Sequence, residues 1–292
     1  MEVASPALRR AHEYSKRFAA QKEAKAPPTP LQLFLPGFDI GAMPNHLNRS
    51  SLIAPIARGR RKFHRQTVMI SRRDCVLEYT GEQLDEADGD LIIALIYFAQ
   101  KQQLDTPVPL NRKKLIRKIR PERGIGDTQY KWLHRRLKAL REGTLFLEAK
   151  KPDGSTRYKI GHMESFNIIK ALAYSEDTES YTYTMDARWV KLFGNQEYSL
   201  IDWDRRMQIG RSLDMAKTLQ RLVATSSDPV QRFNLERLKA QMEYASPMRK
   251  FRQSLEAAVR ELERLGIVSR GRIESSTKGE PQLALWLPQP VA

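Results

Sequence analysis

Apolar and polar positions are arranged in two runs that repeat one order of elements. The first run predicts a long buried helix, a short helix, a third helix and a strand–turn–strand hairpin, in the segments "DEADGDLIIALIYFAQKQQ", "NRKKLIRKI", "GDTQYKWLHRRLKALREG" and "TLFLEAKKPDGSTRYKIGHM". In the third helix, Asp127 is predicted to cap the start and Gly143 to close the end. This order is typical of a winged helix.

The second run repeats the order after a predicted bridge, "SFNIIKALAYSEDTESYTYTMDARWVKLFG", which combines extended structure with a short helix around Trp189 to Phe193. Its helices and hairpin are predicted in "RRMQIGRSLDMAKTLQRLVAT", "FNLERLKAQM", "SPMRKFRQSLEAAVRELERLG" and "IVSRGRIESSTKGEPQLALWL". The predicted fold class is α+β, mostly helical, with two tandem winged-helix domains and an extended, partly disordered N-terminal tail. The predicted boundaries are 1–65 for the tail, 66–195 for the first domain with its bridging strands, and 196–292 for the second.

The ends of the third helix of the second run are marked in the sequence. Ser246 is predicted as its N-cap, Pro247 as its first residue and Gly266 as its C-cap. Apolar residues recur at spacings of three and four from Phe251 to Leu265, and this spacing predicts a buried face.

The opposite face of this helix begins with Arg249, Lys250 and Gln253. Basic residues in a first turn run against the helix dipole, a conflict that a bound polyanion would remove. In helix-turn-helix proteins the N-terminal residues of the recognition helix reach base edges, where Arg or Lys suits guanine and Gln suits adenine. These three residues are therefore the predicted base contacts, and Ser246 and Arg252 are predicted to contact the DNA backbone.

The charge of the chain agrees with a nucleic-acid partner. Lys and Arg outnumber Asp and Glu by 50 to 34, which gives a formal net charge of +16 and favours phosphate-rich partners. Further DNA-backbone contacts are predicted on the third helix of the first run and in both hairpins: Lys131, Arg135, Arg136, Lys138, Lys151, Arg157, Arg270, Arg272 and Lys278. Each of these cations is also compatible with a solvated surface.

Residues that carry catalysis or metal binding are sparse. The chain has one cysteine, Cys75, and five histidines without metal-ligand spacing, so no metal site is predicted. It has no phosphate-binding glycine loop, so no cofactor is predicted. A DNA-nicking enzyme would pair a nucleophilic tyrosine with histidines, but Tyr181 and Tyr183 lie in an alternating stretch without nearby histidines and are predicted as strand residues. We expect a protein that is not an enzyme.

The most apolar stretch, "LIIALIYFA" at residues 91–99, is about half as long as a membrane-spanning helix. It predicts a buried helix and no membrane partner. The single cysteine and the absence of a signal-like start predict an intracellular, cytoplasmic protein.

Several uncommon segments resemble the TrfA family of plasmid replication initiator proteins. They are "QLFLPGFDI…AMPNHLNRSSL", "LEYTGEQLDEADGDL", "IGHMESFNII" and "RKFRQSLEAAVRELERLGIV", between about residues 31 and 268. The resemblance implies a protein that binds direct repeats (iterons) in double-stranded origin DNA and opens adjacent A/T-rich DNA, whose single strands are a further expected partner. It implies recruitment of the host initiator and the replicative helicase, monomer–dimer self-association, tandem winged helices and no catalytic centre. It also places the family's DNA-reading helix at residues 246–265.

The family carries a QLSLF-type peptide before its folded domains, which resembles the motifs that dock in the cleft of the DNA polymerase sliding clamp. The matching residues in this chain are Gln32, Leu33, Phe34, Leu35 and Pro36. The resemblance implies that Gln32 supplies a polar anchor and that the two leucines become buried in the clamp. The alternative is that the peptide packs on the first domain.

Three other functions fit part of these patterns. A winged-helix transcriptional regulator would use the same DNA-reading helix but would give the clamp-like peptide no purpose. A nicking enzyme would need the histidine pair that the sequence lacks. A nonspecific chromosome-compacting protein would bind DNA without base preference and with a steep salt dependence.

Overall fold

The computed structural model describes residues 40–56, 61–100, 102–121, 124–162, 164–194 and 197–288. The clamp-like peptide at residues 32–36 lies outside these ranges. The described residues form nine helices: α1 (Asn45–Asn48), α2 (Glu86–Ala99), α3 (Arg112–Ile119), α4 (Asp127–Glu142), α5 (Trp189–Phe193), α6 (Trp203–Gln208), α7 (Asp214–Val223), α8 (Leu235–Gln241) and α9 (Met248–Arg264).

The described residues also form thirteen strands: β1 (Ile40–Pro44), β2 (Phe63–Met69), β3 (Cys75–Glu82), β4 (Val108–Asn111), β5 (Thr144–Lys150), β6 (Thr156–Ile160), β7 (Phe166–Asn167), β8 (Ala171–Ser175), β9 (Ser180–Thr184), β10 (Tyr198–Asp202), β11 (Val230–Asn234), β12 (Arg270–Ser275) and β13 (Pro281–Trp286). They make four antiparallel sheets: β1-β10, β2-β3-β5-β6 with β7 beside β5, β4-β9-β8, and β11-β13-β12. The α+β class is confirmed, but a predominance of helix is not, because so much of the described chain is sheet.

Hydrophobic side chains form two clusters in the described residues. The first spans residues 42–203 and contains α2, whose residues 91–96 are buried as predicted. The second spans residues 209–285 and contains α7, α8 and α9. We call described residues 40–208 the first half and 209–288 the second half. Their division into two tandem domains stays a prediction, since contacts group all described residues into one unit.

Local hydrogen bonds explain where two helices of the first half begin. Before α2, the side chains of Asp85 and Asp88 each accept from the other's backbone N–H, at 3.0 and 2.9 Å, which is a capping box. Helix α4 starts at Asp127 itself, and the preceding Gly126 donates its N–H to the Gln129 side chain at 3.2 Å. The prediction that Asp127 caps α4 is therefore wrong by one residue.

The folded part of the chain begins earlier than the predicted tail boundary at residue 65. Strand β1 pairs with β10, so that Ala42 lies opposite Leu200, and Ala42, Met43 and Leu47 are fully buried. The prediction of a flexible tail through residue 65 is wrong for residues 40–56. The pattern did not show this because the strand's partner lies far along the chain.

The hairpin of the first half differs from the predicted one. Strand β5 pairs with β3, β6 and β7 in the five-stranded sheet. The strand between α2 and α3 is β4, which pairs with β9 of the β8–β9 hairpin. In the second half, β11 lies between α7 and α8 and pairs with β13 of the β12–β13 hairpin. The segment predicted as a bridge thus supplies the hairpin of the first half, and β5–β6 belongs to a different sheet.

Candidate nucleic-acid interface

Helix α9 has two well-defined ends. The carbonyl of Pro247 accepts from the N–H groups of Lys250 and Phe251 at 3.0 and 3.1 Å, and the extended ψ of Pro247, 155°, keeps it outside the helix. Pro247 therefore occupies the N-cap position, and the prediction of Ser246 as N-cap is wrong by one residue. Gly266 has a left-handed φ of 64° just after the helix, as predicted.

The predicted base contacts share the solvent side of α9. Arg249, Lys250 and Gln253 are exposed, as is Arg252 beside them. Residues three or four positions apart lie on one side of a helix, so Arg249 and Gln253 form one surface. Within the described residues, none of these four side chains has a hydrogen-bond or ion-pair partner. The buried side of the helix comprises Phe251, Leu255, Ala258, Val259, Glu261 and Leu262.

The β12–β13 hairpin carries the predicted backbone contacts of the second half. The guanidinium groups of Arg270 and Arg272 lie 5.7 and 5.2 Å from the ring centre of Trp286. Arg272 also forms an ion pair with Glu274 at 2.8 Å, and this carboxylate offsets the positive charge of Arg272. Lys278 is exposed in the turn. The ring of Trp286 thus orders both guanidinium groups and leaves the charge of Arg270 in place, whereas Glu274 offsets that of Arg272.

Three of the four cations predicted on α4 are exposed. Lys131 and Arg135 face solvent, and so does Lys138, which has a long contact of 3.8 Å with Glu142 one turn later. A surface pair of this kind stabilises weakly, so Lys138 stays available for another anion.

Arg136 is the exception on α4. It is fully buried, and its Nε and Nη1 lie 2.6 Å from Asp88 and 2.6 Å from Glu82. The prediction that Arg136 contacts the DNA backbone is wrong, because it follows the buried Leu133 by three residues and so lies on the inward side of the helix.

The predicted contacts of the β5–β6 hairpin belong to a different sheet from the β8–β9 hairpin. Lys151 is exposed in the turn, and Arg157 is exposed with its Nη1 3.5 Å from Glu197. Because this hairpin belongs to the sheet of β2 and β3, nothing in the topology makes it the wing of α4. A role for these two cations on DNA stays a prediction.

A buried network of charges links the two halves, and the sequence did not reveal it. Glu86 at the start of α2 lies 2.7 Å from Arg206 and 2.5 Å from Arg221. Asp90, one turn later, lies 2.5 Å from both Arg206 and Lys217. Lys217 and Arg221 belong to α7, so the network fixes α7 of the second half against α2 of the first.

Glu86 is ionised in this network. Burial by itself would raise the pKa of Glu86, but the guanidinium groups of Arg221 and Arg206 outweigh burial and lower the pKa to about 2. The hydroxyl of Thr218 donates a further hydrogen bond to Glu86 at 2.6 Å. The sequence predicts that the acidic residues of "DEADGD" lie at a helix start, where the helix dipole favours them. It does not indicate which arginines pack against them.

The tyrosines of β9 are strand residues, as predicted. Tyr183 is buried and donates to the carbonyl of Leu95 at 2.6 Å. Tyr181 is buried too, and its hydroxyl lies 3.1 Å from Nδ1 of His134 on α4, a histidine 47 positions away in the sequence. Burial raises the pKa of Tyr181 to about 12. The described residues contain no group of three or more His, Cys, Asp or Glu side chains that could hold a metal ion.

Helix α2 is too short for a membrane span, and no other helix in the described ranges is long and apolar enough to cross one.

Solved structures with a similar fold exist. A crystal structure of domains 2 and 3 of RctB aligns with a TM-score of 0.53 at 12% identity, covering 84% of this chain and 98% of that chain. A second crystal structure of the same domains gives a TM-score of 0.53 at 12% identity, with coverage of 84% and 97%. The WH1 domain of MSBI1.176, a replication protein isolated from a multiple sclerosis patient, aligns at a TM-score of 0.25 and 15% identity over 36% of this chain and 77% of that chain.

This chain has the fold of RctB domains 2 and 3. At 12% identity the likeness concerns the fold alone. No protein-family model matches the chain, and no curated protein is significantly similar to it. The resemblance to the TrfA family therefore stays a prediction.

Proposed function

We propose that this protein is a sequence-specific DNA-binding replication initiator in which α9 reads bases. The observation that carries the proposal is the start of α9, where Arg249, Lys250 and Gln253 are exposed together and have no partner among the described residues. A cationic first turn is unfavourable beside the helix dipole unless an anion lies against it. A DNA major groove provides both the phosphates and the base edges that these side chains suit.

The arrangement of elements supports a winged-helix mode of binding. In the second half, α7, β11, α8, α9 and the β12–β13 hairpin follow one another in the order helix, strand, helix, helix, hairpin. The first half has the same order in α2, β4, α3 and α4, and its hairpin is β8–β9 after an insertion. Two such units in tandem would place two helices on neighbouring sections of duplex.

The role in replication rests on the sequence resemblance to plasmid initiators and on the shared fold with RctB domains 2 and 3. In this proposal the protein binds direct repeats at an origin, opens A/T-rich DNA and recruits host replication proteins. The peptide at residues 32–36 would bind the sliding clamp, and a cytoplasmic, non-enzymatic protein that switches between monomer and dimer is part of the same proposal.

The experiment is a selection of bound duplexes from a random DNA pool at about 0.15 M salt, near the ionic strength of cells. The recovered motif is then tested in one copy and in direct repeats. The proposal expects one enriched motif and higher occupancy on repeats. Tight binding without enrichment contradicts base reading, and an enriched motif that does not support plasmid replication in cells favours a transcriptional regulator.

A further inference from the structure

Helix α3 carries a dense basic surface. Six of the nine residues from 112 to 120 are Lys or Arg and none is acidic. Leu115, Ile116 and Ile119 are buried in the first cluster. The helix is therefore anchored by one side, and its cations are confined to the other side and to the flanks.

Three of these cations form one exposed surface. Lys113, Lys114 and Arg117 are exposed, and the spacing of three and four residues between them places them on one side of the helix. None of the three has an ion-pair partner within the described residues. Their charge is therefore uncompensated by the described part of the protein.

Aromatic rings hold four of the six cations. Lys114 lies over the ring of Phe98, with its Nζ 5.4 Å from the ring centre. The other three pairs, with distances to the ring centre, are Arg112 over Tyr130 at 3.9 Å, Lys118 over Tyr97 at 4.3 Å and Arg120 over Trp132 at 3.6 Å. A ring face attracts a cation and orders it but leaves its positive charge in place. Lys114, which a ring orders and which has no ion-pair partner in the described residues, is ready to bind an anion with less loss of side-chain freedom.

The helix dipole also favours an anion near the start of α3. Arg112, Lys113 and Lys114 occupy the first turn of α3, which contains no acidic residue. The N-terminal turn of a helix favours negative charge. A nearby anion would relieve this unfavourable arrangement, as argued for α9.

The hairpin beside α3 has the opposite charge. Strand β4 leads directly into α3 and pairs with β9. The turn between β8 and β9 exposes Glu176, Asp177 and Glu179, and Glu179 pairs with Arg112. In the second half the hairpin is the basic element. In the first half the hairpin is acidic and would be repelled by phosphates, so the cations that suit phosphates lie on α3.

We propose that α3 binds the sugar–phosphate backbone of nucleic acid through Lys113, Lys114 and Arg117. This inference rests on the proposed function and adds a binding surface on a helix other than α9. The phosphodiester ligand has two sources at an origin, the duplex that carries the repeats and a single strand of the opened region. Backbone contacts of this kind set affinity and position without reading sequence.

The test compares the variant Lys113→Ala, Lys114→Ala, Arg117→Ala with a control that loses three exposed cations elsewhere, Arg73→Ala, Lys191→Ala, Arg211→Ala. Dissociation constants are measured against salt concentration for a duplex and for a single strand. Affinity falls as salt rises, and each lost phosphate contact is expected to make this dependence shallower. The magnitude of the slope of log affinity against log salt should decrease by about 0.9 on duplex or about 0.7 on a single strand. The DNA form on which the α3 variant shows the smaller salt dependence is the form that α3 binds.

Base preference should survive in the α3 variant, because α9 is intact. Slopes that do not change on either DNA overturn the proposal, and so does an equal fall in the control. The single variant Arg117→Ala repeats the test with little risk to folding, and its slope is expected to fall by about 0.9 on duplex. If the wild-type protein enriches no DNA motif, the proposed function fails while the salt slopes still report on α3.

Discussion

The carboxylate of Glu86 lies 2.7 Å from Nη2 of Arg206, and both side chains are fully buried. The second oxygen of Glu86 lies 2.5 Å from Arg221 on α7. The acidic first turn of α2 therefore joins the two halves. The orientation of the second half relative to the first depends on these ion pairs. Because α9 packs on α7 in the second cluster, the network also supports the position of α9, the helix proposed to read DNA bases.

Replacing Glu86 by Gln should destabilise the protein strongly. The change leaves the guanidinium groups of Arg206 and Arg221 buried with one carboxylate fewer, and breaking a buried ion pair costs about 3–5 kcal/mol. We expect the free energy of unfolding in urea to fall by about this amount. The control Glu256→Gln, on the exposed surface of α9, should change it by about 0.5 kcal/mol or less. Equal stability of the two variants would contradict the importance of the network.

The contribution of Glu86 should depend on pH. Its pKa is lowered to about 2 because Arg221 and Arg206 outweigh the effect of burial, whereas an unfolded Glu has a pKa of about 4.3. The folded state then binds fewer protons, so the stabilisation is complete above the unfolded pKa and is lost as pH falls toward the folded pKa. The difference in unfolding free energy between wild type and Glu86→Gln should shrink from about pH 5 to about pH 2. A constant difference over this range would mean that Glu86 is not the titrating group.

Charge reversal in the acidic hairpin turn should strengthen DNA binding. Glu176→Lys with Asp177→Lys removes two exposed negative charges and adds two positive ones beside α3, while Glu179 keeps its pair with Arg112. Affinity should rise on all duplexes alike, because backbone attraction carries no sequence information. The control Asp204→Lys, an exposed acid on α6, should have a smaller effect. No change in affinity would place the turn beyond about one Debye length from DNA, about 8 Å at 0.15 M salt.

The peptide at residues 32–36 can be tested apart from DNA binding. Changing Gln32, Leu33 and Leu35 together to Ala should abolish capture by the purified sliding clamp, since each buried leucine is worth about 1.5–3 kcal/mol. Affinity for origin DNA should be unaltered, and Leu31→Ala should retain clamp binding. Undiminished capture of the triple variant would remove the clamp from the account.

The sequence predicted elements whose pattern is local. The apolar run of α2 follows acids that suit a helix start, and α9 shows apolar spacing over its full length, so both helices were found with their buried faces. The short helix around Trp189 was found at its observed bounds.

Features that depend on distant partners could not be read from the pattern. Alternation identified β5 and β6 as strands, but only folding shows that β5 pairs with β3 while β4 pairs with β9. The spacing of Arg136 from Leu133 indicates the inward side of α4, but the sequence does not reveal that Asp88 and Glu82 lie against it and allow its charge to be buried. Charged side chains suit both a solvated surface and a buried pair, so their burial has to come from the structure.

The most direct test of the central claim is the specificity ratio of α9 variants. The affinities of wild type, Arg249→Ala, Gln253→Ala and the control Arg260→Ala are measured on the selected duplex and on a scrambled duplex at the same salt. Base reading predicts that Arg249→Ala and Gln253→Ala each lose about 1–3 kcal/mol of discrimination, with a smaller loss on scrambled DNA. Arg260→Ala, exposed further along the helix, should keep the ratio. An equal loss on both duplexes would contradict base reading and leave α9 as a phosphate contact.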